Sequence, residues 1–116
     1  MTKPVLGQFI SKLTQAPHSI RFADSMTLID TLYDFTPSAF SNGQQHNAAG
    51  ENSGSCKIFA FAKQQGLDEQ QSLALFGEYY QDVLNTPDGN DHQNIRQFMT
   101  NGWSGIVFSQ AALSEK

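Results

Sequence analysis

Charge is scarce in this chain. Only 16% of its 116 residues are Asp, Glu, Lys or Arg, against the quarter usual in globular proteins. Basic residues are scarcer still, with two Arg and five Lys scattered along the length. Binding to nucleic-acid phosphates or to anionic lipid rests on clustered Lys and Arg. The sequence therefore argues against a nucleic-acid partner and against a membrane partner. Cysteine is limited to Cys56, which excludes an internal disulfide and a Cys-based zinc site and fits a reducing compartment. No apolar run approaches the ~20 residues that span a bilayer. The segment Met1–Gln8 carries no apolar signal-peptide core, so the expected location is cytoplasmic. Repeats and low-complexity segments are absent.

Amides stand where charges are missing. Twelve Gln and seven Asn together outnumber the eighteen charged residues. The polar surface is thus built more from uncharged hydrogen-bonding groups than from ions. A hydrophobic fraction of 39%, with nine Phe, suffices for a core and excludes a disordered tail. The length fits one domain over residues 1–116.

Periodicity predicts five helices. The first covers Pro4 to Ala16, with Val5, Leu6, Phe9, Ile10 and Leu13 at helical spacing. The second starts at Asp24 or Ser25, either a suitable cap, and stops before Pro37. The third runs from Ser55 to Gln65, capped by Ser53 or Ser55. Cys56, Ile58, Phe59, Ala60, Phe61 and Ala62 make it apolar nearly all round, as a central buried helix must be. The fourth spans Glu69 to Asn85 behind the Asp68-x-x-Gln71 capping box. Gly77 inside it costs ~1 kcal/mol against Ala, which implies close backbone approach. The fifth covers Asp91 to Asn101. Ile106 to Phe108 reads as a short strand paired with the segment near Phe35. Ser41 to Ser55 reads as one long irregular loop, and Ser114 to Lys116 as a frayed end. The expected fold is mainly α, an α+β arrangement with a minor two-stranded antiparallel element and about five helices around the third.

Two segments carry candidate chemistry. Gly50-Glu51-Asn52-Ser53-Gly54-Ser55-Cys56-Lys57 lacks the glycine spacing of a phosphate loop. It nonetheless feeds a helix N-terminus, whose free N–H groups and positive dipole end suit a carboxylate, a phosphate or an oxyanion. Cys56 at that position is a candidate nucleophile. His92 is the candidate base, with Asn94 or Asp91 to orient it. Asp88-Gly89-Asn90-Asp91-His92 offers oxygen ligands, but its sixth position is Gln93 and its twelfth Met99, so the calcium-loop register fails. No metal site and no cofactor are expected. Between Lys63 and Arg96 lie six acids and no base, a solvated helix face or a docking face for a basic partner.

Several long stretches carry a resemblance. They are Asn47-Ala48-Ala49-Gly50-Glu51-Asn52-Ser53-Gly54-Ser55-Cys56-Lys57-Ile58-Phe59-Ala60-Phe61-Ala62, Phe76-Gly77-Glu78-Tyr79-Tyr80 and the run from Pro87 to Met99. With Tyr33 to Gly43 upstream, they resemble the HopJ type III effector family over nearly the whole chain. The resemblance implies passage through a type III secretion system. It brings no catalytic residue and no cofactor with it. The function expected is therefore a small binding or interaction domain, for an unidentified protein or a small polar ligand. Its site would lie where the Asn42–Ser55 loop, the head of the third helix and the Asp91–Asn94 turn meet. Asn47, Glu51, Asn52, Ser55, Cys56, His92, Asn94 and Arg96 would line it. One alternative is a hydrolase or acyltransferase using Cys56 and His92. Another is an acidic docking module using Glu78, Asp82 and the outer ring of the Tyr79-Tyr80 pair.

Overall fold

The computed structural model describes residues 4–116. Its helices are α1 (Pro4–Gln15), α2 (Phe22–Leu32), α3 (Ser53–Gln65), α4 (Glu69–Ala74), α5 (Glu78–Asn85) and α6 (Gln93–Asn101). Five three-residue strands accompany them: β1 (Tyr33–Phe35), β2 (Phe40–Asn42), β3 (Gln45–Asn47), β4 (Ile106–Phe108) and β5 (Leu113–Glu115). The mainly helical α+β fold is as expected. The strands form two antiparallel sheets, β1–β5 and β3–β2–β4. Among the described residues no helix is long and apolar enough to cross a membrane.

α3 is the central buried helix. Phe59 and Phe61 have no exposed surface, and residues two apart on a helix point about 200° apart. They therefore organise opposite sides of the core. Phe59 meets Phe40, Phe76, Phe98 and Trp103 with ring centroids 4.9–6.4 Å apart. Phe61 packs edge-on against Phe9 and Tyr33. Tilted and edge-to-face pairs of this kind add roughly 0.5–1.5 kcal/mol each beyond area burial.

α2 begins earlier than its capping residues suggest. Arg21 is the N-cap, and its N–H donates to the Asp24 carboxylate at 3.0 Å. Ser25 is fully buried inside the helix, where its hydroxyl donates to the Leu75 carbonyl at 2.7 Å. That carbonyl lies at a break. The single helix expected over Glu69–Asn85 is two, α4 and α5, separated at Leu75–Gly77. Gly77 has φ +58° and ψ −125°, which no side chain tolerates well. A Cβ there would lie 2.5 Å from the Phe22 nitrogen. The close approach expected of Gly77 is real, and the helix breaks to allow it.

The strands also differ from expectation. β4 pairs with β2, not with the segment near Phe35, and Phe40 lies opposite Phe108. β1 pairs instead with β5, with Phe35 opposite Leu113. The chain end is thus ordered as a strand, and Lys116 N–H donates to the Leu32 carbonyl at 3.1 Å. The Ser41–Ser55 stretch contains the β2–β3 hairpin, so only part of it is irregular. Gly43, at φ +61°, supplies the positive φ that a two-residue hairpin turn requires.

Gly77→Ala should destabilise the protein by about 2–4 kcal/mol, through φ strain and the clash with α2. Urea unfolding should show a lower midpoint at unchanged slope.

Candidate functional site

Four asparagines tie three elements together. Asn42 and Asn47 lie on the hairpin, Asn52 before α3 and Asn94 in the first turn of α6. Asn42, Asn47 and Asn94 are buried, each at 6% exposure or less. Asn47 is the hub. Its Oδ1 accepts from Asn52 at 2.7 Å and from Asn94 at 3.0 Å, and its amide donates to the Phe40 carbonyl and to Asn94 Oδ1, both at 3.2 Å. Asn42 donates to the Asn94 carbonyl at 2.7 Å and to its Oδ1 at 3.1 Å. Buried amides need such partners, because an unpaired one costs roughly 1–3 kcal/mol. The cluster fixes the heads of α3 and α6 relative to the hairpin.

Between those heads lies a cleft of about 450 Å³, a volume in the range of small-molecule sites. Asn52, Gly54 and Ser55 border it from α3, and His92, Gln93, Asn94 and Ile95 from α6. Gln45 contributes from the hairpin, and Phe22, Phe76 and Tyr79 form the remaining wall. None of these side chains is Asp, Glu, Lys or Arg. The N-caps of α3 and α6, Asn52 and His92, are both left-handed, with φ +50° and +51°. Neither provides a side-chain cap. The N–H groups of Ser53, Gly54 and Ser55 in α3 and of Gln93 and Asn94 in α6 have no partner within the described residues, whereas that of Ile95 donates to the His92 carbonyl at 3.0 Å; each helix head is a positive dipole end. Tyr79 stacks on His92 at 5.3 Å and packs against Phe22 at 4.8 Å. His92 Nε2 stands 3.8 Å from Asp82 and 3.9 Å from Asp91.

The structure brings Asn52, Ser55, His92 and Asn94 to this one cleft and places Asn47 directly behind it. Glu51, Cys56 and Arg96 do not line it. Glu51 accepts from the Ala48 N–H at 2.8 Å and closes a surface turn. Arg96 reaches back to the Thr86 carbonyl at 2.8 Å and to Asp91 at 2.6 Å. It holds the Thr86–Asp91 turn, and its guanidinium keeps the Asp91 carboxyl below the usual carboxylate range. Cys56 is 1% exposed, with Sγ 3.7 Å from the Ser38 carbonyl. Burial pushes its thiol pKa up, the reverse of the lowering expected at a helix head. Cys56 and His92 thus do not form a nucleophile–base pair. Of the two acids considered for docking, Glu78 accepts from the Phe22 N–H at 2.8 Å, and Asp82 is exposed at the surface 3.8 Å from His92. Among the described residues no group of three or more His, Cys, Asp or Glu is placed to hold a metal ion.

Sequence reading missed Phe22, Gln45, Gly54, Phe76, Gln93 and Ile95 as lining residues and named Tyr79 only for the docking alternative. Gln93 follows His92 directly and could have been included by adjacency. Phe22 carries no local signal, since only the packing of α2 on α5 brings it there.

The profile of the family described as HopJ type III effector protein matches residues 6–113. The crystal structure of the unknown-function protein VPA0580 superposes with a TM-score of 0.94 at 52% sequence identity. That similarity covers 96% of this chain and 93% of the other. Comparison with curated proteins finds no match.

Asn47→Ala should cost about 2–4 kcal/mol, because Asn52 and Asn94 both lose their acceptor; chemical denaturation measures it. Native protein at neutral pH should resist alkylation of Cys56 by iodoacetamide, while urea-unfolded protein reacts. Rapid labelling of the native state, read by intact mass, would restore the thiol as a candidate nucleophile.

Proposed function

The chain belongs to the HopJ type III effector family, and on that premise we propose that it is a small binding domain whose ligand site is the cleft between the heads of α3 and α6. One observation carries the reading. Two helix first turns without side-chain caps open onto the same cleft, among amides and a hydroxyl rather than charges. Such a site receives a hydrogen-bond acceptor on the ligand, a carboxylate, phosphate or carbonyl oxygen, through backbone N–H groups. Asn52, Ser55 and Gln93 select its polar edge, and the Tyr79–His92 wall covers its apolar part. The ligand is a small polar molecule, because the cleft has the volume of one and Asn52, Ser55, Gln93 and Asn94 stand opposite its aromatic wall. The compartment is a cytoplasm, bacterial or, after type III export, that of a target cell. The sparse and scattered basic residues give no support to a nucleic-acid or membrane partner.

A Cys56–His92 hydrolase gains no support from the geometry, because the sulfur is buried against the Ser38 carbonyl and Cys56 does not line the cleft that His92 borders. An acidic docking role is likewise weakened, because Glu78 is engaged within the fold.

The test is amide-resolved NMR with a library of small carboxylates, phosphates and carboxamides. Binding should shift the amides of Ser53–Ser55 and of Gln93 and Asn94 together. The double variant Asn52→Ala, Ser55→Ala should weaken the best binder by about tenfold, or about 1.4 kcal/mol. Shifts clustered instead in the groove between α1 and α4–α5, around Leu13, Ile20 and Leu84, would move the site elsewhere.

A further inference from the structure

Phe22 is the point at which three helices meet at the cleft. Its N–H donates to Glu78 Oε1 at 2.8 Å. Its backbone lies under Gly77, where even a Cβ would be 2.5 Å away. Its ring approaches Gly54 so closely that a Cβ there would stand 2.7 Å from Cζ, and it packs on Tyr79 at 4.8 Å. Gly54, Tyr79 and Phe22 all line the cleft. The only side-chain hydrogen bond between the start of α2 and the start of α5 among the described residues runs through the Glu78 carboxylate. Nothing local requires it, since residues 22 and 78 are 56 apart in sequence.

We propose that Glu78 is a positioning residue, a latch whose negative charge holds Phe22 and thereby sets the aromatic wall of the cleft. The inference concerns the control of the site proposed above and rests on that site for its meaning, but its geometry stands without any ligand. A carboxylate accepting from a helix N-terminal N–H makes a charge-assisted bond, stronger than a neutral one. Arg21 adds a second contact, with Nη2 3.6 Å from Oε2. The Phe22 N–H is the main reason the Glu78 carboxyl titrates below its usual range, with its own backbone N–H and Arg21 assisting. The other charged or titratable groups around it are Asp24 in the first turn of α2, Asp82 one turn on in α5, and His92 beyond Tyr79 at the head of α6. Since the folded-state pKa is lowered, the latch is complete above the ordinary carboxylate range and is lost as pH falls through the folded value. Protonation then removes the charge that Phe22 and Arg21 pair with, and the wall loosens.

Amide NMR of the ligand-free protein tests this, through Gly54 and His92, which are remote from Glu78 in sequence. In the wild type the Gly54 amide shift should follow Phe22 through one acid transition, below the midpoint of an ordinary glutamate. In Glu78→Gln, which still offers an acceptor but no charge, that transition should vanish. Already at neutral pH the variant's Phe22 and Gly54 amides should sit displaced toward their wild-type acid positions, and its His92 amide should be displaced from the wild-type one. Glu69→Gln, an equal charge change elsewhere, should leave all three in place. The proposal is overturned if Glu78→Gln shifts only residues adjacent to 22 and 78, or if the Gly54 transition persists in the variant. The neutral-pH comparison decides the matter even if acid unfolds the wild type. Because no ligand is present, failure here leaves the binding reading standing, and failure of the ligand screen leaves the latch standing.

Discussion

A buried amide has to find partners, and in this protein it finds them largely in other amides, with Asn42 Oδ1 the one buried side-chain polar atom left without a partner among the described residues. Asn47 accepts from Asn52 and Asn94 and donates back to Asn94, while Asn42 supports Asn94 from behind. Apolar side chains could have filled the same volume at lower risk, since a half-satisfied polar cluster is worse than none. What the cluster provides is direction. Hydrogen bonds fix the angle at which the hairpin meets the heads of α3 and α6, whereas apolar contact fixes only distance. These four side chains link the hairpin to the heads of α3 and α6, and the cleft lies between those heads.

The aromatic core supplies the rest of the frame. Phe59 and Phe61 divide one helix into two packing faces, the first met by Phe40, Phe76, Phe98 and Trp103 and the second by Phe9 and Tyr33. Phe22 then joins the frame to the cleft. Its ring serves as cleft wall while its backbone is clamped between Gly77 and the Glu78 carboxylate. Stability and site geometry therefore share residues. That arrangement suits a domain that presents a shaped polar cleft better than one that activates a nucleophile, and the only thiol lies buried against Ser38.

Local signals were legible where the physics is local. The spacing of Phe9 and Leu13, the continuous apolar run of α3 and the Asp68–Gln71 box each name a helix by contacts within a few residues. The Ser41–Ser55 stretch reads as a loop because Asn42, Gln44, Gln45 and Asn47 hide the strands: amides do not show the alternation by which a half-buried strand is recognised. The cleft was legible in part. Loop and turn each announced a helix head, and the long polar loop between apolar segments suggested that they meet, but the burial of Cys56 and the backward reach of Arg96 depend on what packs against them.

The sequence by itself determined the composition of the surface, the central helix, most helix positions and the family. Each follows from periodicity, capping or long matched segments, which one stretch of chain carries alone. Tertiary structure decided the break at Gly77, the pairing of β4 with β2 and β5 with β1, and the entry of Phe22 into the cleft. Those rest on contacts between residues tens of positions apart, and a chain read locally holds no record of which distant surface it will meet. The excess of amides was visible from the start. Only folding showed that four of them tie the hairpin to the heads of α3 and α6.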